Sequence, residues 1–355
     1  MIATAIKAVK QTFLIVSLIL LSWSQSMAAG GHSDEGFQPG AFIMDHIADS
    51  YEWHITTIGE KHVSIPLPVI LYSEEKGFDV FLSSKFHHGH DAYKGYEIAH
   101  EGDLKGKIVY QNDGGEWVRP WDISITKNVT ALLISMLILL WVFISVANAY
   151  KRRPGQAPTG LQNMLEPLIL FIRDDVAKSS IGEKKYERFM PYLLTIFFVI
   201  FLNNLMGLIP FFPGGANVTG NIAVTLIFAL ITFVITSLNG NRNYWGHIFW
   251  PPVPHALKPL MIPIEIIGVF IKPFVLMVRL FANITAGHII MLGFFSLIFI
   301  FGAMSPAAGY GVSVVTILFT VFMSFLELLV AFIQAYVFTF LSALYIGMAV
   351  EEAHH

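Results

Sequence analysis

Two stretches of this chain, Lys258–Gly302 and Val312–Val350, run through apolar residues almost without interruption for about 45 and about 40 positions. At 1.5 Å rise per residue, a 45-residue helix reaches ~65 Å, about twice the ~30 Å of a bilayer's hydrocarbon core. Two perpendicular crossings would need a turn midway, and nothing between Phe274 and Ile300 supplies one. Each stretch is therefore expected to form one long, strongly tilted helix. Composition agrees: 55% of residues are hydrophobic and only 13% charged, about half the charge of a soluble globule. A net charge of −3 leaves no basic footprint for nucleic acid. The lack of cysteine excludes disulfides, thiolate metal sites and cysteine nucleophiles.

The remaining chain divides by character. Lys7 and Lys10, the short apolar run 12–23 and the small residues before Ala28 read as a signal peptide over 1–28. Residues 29–124 are polar and hold eight of the 13 histidines. Within them, Ile65–Tyr72 and Phe78–Ser83 are β-like runs separated by a turn at Ser73–Gly77. This part is expected to be a small extracytoplasmic domain with some β structure. His87-His88-Gly89-His90-Asp91 clusters imidazoles with a carboxylate, but no second ligand group at recognisable spacing supports a metal site, and a solvated loop is expected.

The membrane domain, 125–355, adds spans at Ile125–Tyr150, Phe189–Phe212 and Asn221–Leu238, and an amphipathic segment at Leu161–Ile181 suited to the membrane surface. The whole is mainly α and polytopic, with five transmembrane helices and one surface helix. Residues 150–188 carry eight Lys/Arg, whereas the 213–220 and 302–311 loops carry none. The positive-inside rule then places 150–188 and the C-terminus in the cytoplasm and the N-terminal domain outside.

Between Phe189 and Val350 the only acidic or basic residues besides histidine are Arg242, Lys258, Glu265, Lys272, Arg279 and Glu327. Arg279 stands out. It lies 21 residues inside an apolar segment, where an arginine costs ~2.5–3.5 kcal/mol or more. Glu265, Lys272 and Arg279 recur at intervals of seven, with Asn283 four further on, so they fall on one helix face. Glu327 and Gln334 do the same on the last helix. The two stripes are expected to satisfy each other's polar groups. His288, nine residues after Arg279, falls half a turn away on a straight helix. Either the helix bends near Gly287 or the histidine faces a separate cavity.

These residues also carry a resemblance. Met277-Val278-Arg279-Leu280-Phe281-Ala282-Asn283-Ile284-Thr285-Ala286-Gly287-His288 closely resembles the most characteristic stretch of subunit a of the F-type ATP synthase membrane sector. Residues 327–336 (ELLVAFIQAY) and 203–210 (NNLMGLIP) resemble two further motifs of that family, in the same order. The match spans about 125–352, and the N-terminal domain reads as a lineage-specific extension. His288 with Glu327 resembles the mitochondrial pattern, whose two residue types many bacterial members exchange.

The resemblance implies a stator subunit, not an enzyme on its own and without a cofactor or metal. Two offset proton half-channels would serve the carboxyls of a rotating c-ring, alongside b-type peripheral stalk subunits and the soluble F1 sector, in a bacterial inner membrane. Arg279 matches the essential arginine, whose permanent charge attracts the ionised ring carboxylate and separates the half-channels. His288 and Glu327 match the outer half-channel, Glu265 the inner one, and Asn283 and Gln334 polar neighbours of the arginine. Lys272 is expected only to pair with Glu265. A secondary ion transporter or channel is the alternative, but the internal repeats or broken helices usual in such proteins are not found.

Overall fold

The computed structural model describes residues 38–351 apart from 59, 60, 90, 101, 103, 210 and 211; the expected signal peptide lies outside the described residues. The chain forms two compact units. One contains residues 50–127, and the other contains 39–49 and everything from 128 onward.

The first unit is built from short strands: β1 (Glu52–Ile58), β2 (Lys61–Pro66), β3 (Pro68–Ser73), β4 (Gly77–Leu82), β5 (Tyr96–Ile98), β6 (Ile108–Gln111), β7 (Trp117–Val118) and β8 (Trp121–Asp122). They pair as β1-β2, β4-β3-β8 and β5-β6-β7, each pair antiparallel. The expected hairpin forms between β3 and β4, in register from Pro68↔Leu82 to Ser73↔Gly77. Gly77, at φ 75°, supplies the left-handed residue that closes the turn. The first run starts later than expected, because Ile65 and Pro66 end β2 instead. Leu67 breaks the run: it is buried, and its N–H and C=O both bond to Ser83 at 3.0 Å.

Alternation puts Val69 and Leu71 inward, where they pack with Tyr51, Phe86, Tyr96 and Ile108. The Tyr51 hydroxyl donates to the Asp122 carboxylate. Burial, then that bond, pushes the phenol's pKa up. In the histidine-rich loop, His87 donates to Asp91 (2.7 Å) and His88 to Glu52 (2.8 Å). Among the described residues, no group of three side chains is placed to hold a metal.

The second unit is helical: α1 (Pro39–Ile47), α2 (Lys127–Arg152), α3 (Leu161–Phe171), α4 (Tyr186–Leu208), α5 (Ile222–Leu238), α6 (Arg242–Phe249), α7 (Lys258–Met304) and α8 (Pro306–Val350). Among the described residues α2, α4, α7 and α8 are long and apolar enough to cross a membrane. α5 makes a fifth if it is taken with α6, from which it is bent by 102°. The two longest are continuous, 47 and 45 residues. Even Pro263 and Pro273 do not break α7. Its stop is chemical: Ser305 is extended, its side chain accepts from Ala308 N–H (3.1 Å), and Pro306 starts α8 at a position where no N–H is needed.

Small residues set the packing of α8. Ala331, Ala335, Thr339, Ala343 and Gly347 recur every fourth position and are all buried. Their ridge lets backbones approach closely, which is what stabilises helix pairs in lipid. At Gly347 a side chain would collide with the Ser180 carbonyl. The amphipathic segment, α3 continued by a π-helical stretch (Ile172–Lys178) and a last turn (Ser179–Ile181), packs there, with Ile172, Val176 and Ala177 fully buried.

Candidate functional site

α7 and α8 run antiparallel from Ser305, and four approaches fix their register. Gly302 meets Gly309 beside the turn. The Phe294 and Phe319 rings stand 4.0 Å apart, Gly287 faces Glu327, and the Lys272 ammonium lies 5.6 Å from the Tyr345 ring. In this register Gln334 falls level with Arg279, while Glu327 falls eight residues away, ~12 Å nearer the α7–α8 turn.

Glu327 is 8% exposed, and neither carboxyl oxygen has a hydrogen-bond partner among the described residues. It fits because position 287 is glycine. A Cβ there would lie 2.7 Å from Glu327 Oε1, closer than real contacts allow. His288, the next residue, is turned by about 100° around the helix, and its Nε2 lies 3.7 Å from where a Cβ on Gly207 of α4 would be. No bend at Gly287 is needed: α7 stays helical there, with Glu327 of α8 against Gly287 and His288 turned toward Gly207 of α4.

The asparagine pair of α4 holds this region together. Asn204 Nδ2 donates to the Ala331 carbonyl (3.2 Å), one turn beyond Glu327, and its Oδ1 accepts from Thr219 (2.6 Å). Asn203 Nδ2 donates to Ser135 of α2 (2.9 Å). The motif thus bolts α2, α4, α8 and the loop segment at Thr219 to one another. Near it are groups that sequence reasoning missed. Thr316 and Thr320 are buried on the Glu327 face, and Thr320 Oγ1 and both amide atoms of Asn217 are buried without a partner among the described residues. A signal existed for Thr320, which precedes Glu327 by the same seven residues that separate Glu327 from Gln334.

The α7 stripe behaves differently from expectation. Glu265 and Lys272 are half-buried, whereas Arg279 and Asn283 are exposed. A seven-residue repeat drifts ~20° per repeat on a 3.6-residue helix, which rotates Arg279 away from the face of Glu265. No hydrogen bond or ion pair joins the α7 stripe to Glu327 or Gln334 among the described residues. Gln334 is buried in α8, and Glu327 is committed to Gly287. Lys272 feels the charge of Glu265 without contacting it, and sits over Tyr345 instead. The face around Arg279 is exposed, with Asn283, Ala286 and Ile290 within about 40° of it around the helix.

A bundle of apolar helices carrying a buried carboxyl, a histidine and a mid-helix arginine defines a polytopic membrane protein that handles charge within the bilayer. Residues 129–347 match the family model described as ATP synthase A chain. The chain is 47% identical over 240 residues to ATP synthase subunit a of Chloroherpeton thalassium, covering 66% of this chain and 69% of the relative. It is 38% identical over 341 residues to that of an Anaeromyxobacter species, covering 94% and 75%. Residues 42–124 match a domain family of unknown function. The chain belongs to the ATP synthase A chain family, a non-catalytic subunit of the membrane sector of the proton-transporting ATP synthase.

Proposed function

We propose that this chain is the stator against which a c-ring turns, and that Arg279 is the fixed cation met by each ring carboxylate. One observation carries the reading: a permanently charged guanidinium in the middle of a 47-residue apolar helix, exposed and without an anionic partner among the described residues. A charge so placed is too costly to leave unpaired in lipid. Its partner therefore comes from another chain, on the face that α7 leaves open. Asn283 lies one turn away on that face, and Gln334 is level with it on α8.

Glu327 and His288 form the outer half-channel, with Thr320 and Asn217 as further polar stations. Glu265 belongs to the inner half-channel. Residues 29–124 are periplasmic after cleavage of a signal at Ala28, the C-terminus is cytoplasmic, and the five helices cross a bacterial inner membrane. The b-type stalk subunits and the F1 sector complete the assembly. Purifying the tagged full-length chain in mild detergent tests the reading: c-ring and ATPase subunits are expected to come with it, and a chain that purifies alone defeats the proposal.

Gly287 gives a sharper check on the outer half-channel. Gly287→Ala forces the Glu327 carboxyl aside, and Gly287→Val does so more strongly. ATP-driven proton uptake in inverted vesicles is expected to fall about tenfold for valine, equivalent to ~1.4 kcal/mol, and less for alanine. Uptake unaffected by valine would mean that the Glu327 position does not matter.

A further inference from the structure

The sheet β4-β3-β8 has two apolar faces. One packs into the core through Val69 and Leu71. The other is open: Trp121 is 74% exposed, Phe78 and Ile123 65% each, and Val80 56%, with Tyr72 and Leu82 exposed beside them. Cross-strand register makes these residues contiguous. Tyr72 stands opposite both Phe78 and Trp121, and Ile70 stands opposite Val80. None of the outward positions on the three strands is charged. An antiparallel sheet that faces water alternates apolar with polar, and this one does not.

The path of the chain says what covers the face. Beyond β8 the chain continues along β3, as Ile123 N–H donates to the Ile70 carbonyl and Ile125 N–H to that of Pro68, both at 3.0 Å. Lys127 N–H then donates to the Ser50 carbonyl at 2.9 Å. Lys127 is also the first residue of α2, a helix apolar enough to span a membrane. Only Thr126 lies between the last β3 bond, at Ile125, and the start of α2 at Lys127, two chain steps with a reach of ~7 Å. The sheet is therefore tethered by a very short length of chain to a helix apolar enough to span a membrane. Trp and Tyr set among aliphatic residues is the composition that partitions to the headgroup–acyl boundary.

We infer that this face is a membrane-docking surface, lying flat and shallowly inserted in the leaflet at which α2 enters. The idea does not depend on how protons move through the second unit. It requires only that α2 spans.

The chain contains no cysteine, so single spin labels are simple to place. Phe78→Cys, Val80→Cys and Leu82→Cys would be labelled in the assembled complex in phosphatidylcholine–phosphatidylglycerol vesicles, with Glu75→Cys in the exposed turn as control. Relaxation by oxygen reports lipid, and relaxation by a water-soluble nickel chelate reports water. The expected result is oxygen-dominated relaxation at 78, 80 and 82, and nickel-dominated relaxation at 75. Nickel-dominated relaxation at 78 and 80 overturns the inference, even with 82 in lipid, because the sheet would then stand upright. Shielding from both agents also overturns it, since a protein would then cover the face.

Discussion

Replacing Arg279 with glutamine or alanine is expected to abolish ATP-driven proton uptake while ATP hydrolysis by the soluble sector continues. The exposed position of Arg279 and its lack of an anionic partner among the described residues mean that little inside the subunit depends on it. Loss of the side chain should leave the fold intact. On the proposed reading, what it removes is the cation that makes an ionised carboxylate tolerable within the bilayer. A charge at that depth costs ~2.5–3.5 kcal/mol when unpaired, so coupled flux should fall by about 100-fold. Glutamine keeps a planar N–H donor group, though shorter and with fewer donors, while it loses the charge, so it separates the charge from polarity alone better than alanine does. Lysine keeps the charge, but an ammonium loses its proton readily when buried, so Arg279→Lys should pump worse than the native chain. Acid quench of fluorescence in inverted vesicles measures uptake, and phosphate release measures hydrolysis. Coupled pumping by the glutamine variant at native rates would end the central role given to this residue.

The parts of the site that depend on spacing along one helix were legible in the sequence. Continuous apolar runs announced α7 and α8, and the charge at Arg279 stood out against the apolar residues around it. The relation between helices was not legible. A repeat of seven placed Glu265, Lys272 and Arg279 on one face, yet the drift of that repeat leaves the first two half-buried and the third exposed. The mutual satisfaction of the two stripes failed for a similar reason: the α7–α8 register sets Glu327 opposite Gly287, not opposite Arg279. Glycines carried the missing information. Gly287 and Gly207 are the gaps that receive Glu327 and His288, and a gap has no signature until its neighbour is known. The every-fourth-residue ridge Ala331–Gly347 was readable in principle, but it was masked by the uniform apolarity of α8. In the first unit, the β3–β4 hairpin followed from alternation and a glycine turn, whereas the place where β2 ends hung on the tertiary bonds of Leu67 to Ser83.

Exchanging His288 and Glu327 is expected to restore more proton flux than either single exchange. The two residues reach one region from different helices, His288 against Gly207 and Glu327 against Gly287. They make no direct hydrogen bond to each other among the described residues, so a proton passing between them crosses by way of water, a bridge nearly as good enthalpically as direct contact. Such a handover needs one imidazole and one carboxyl, two side-chain types that can pass a proton through a bridging water. It does not need a particular order. Removing either partner by alanine should therefore cost about as much as removing both. The swapped pair His288→Glu with Glu327→His should recover part of the loss, limited by the fit of an imidazole against Gly287. Proton uptake in inverted vesicles, compared across the two alanine variants, their double, the two single exchanges and the swap, gives the coupling directly. Additive losses throughout, with no recovery in the swap, would show that each residue serves a separate step.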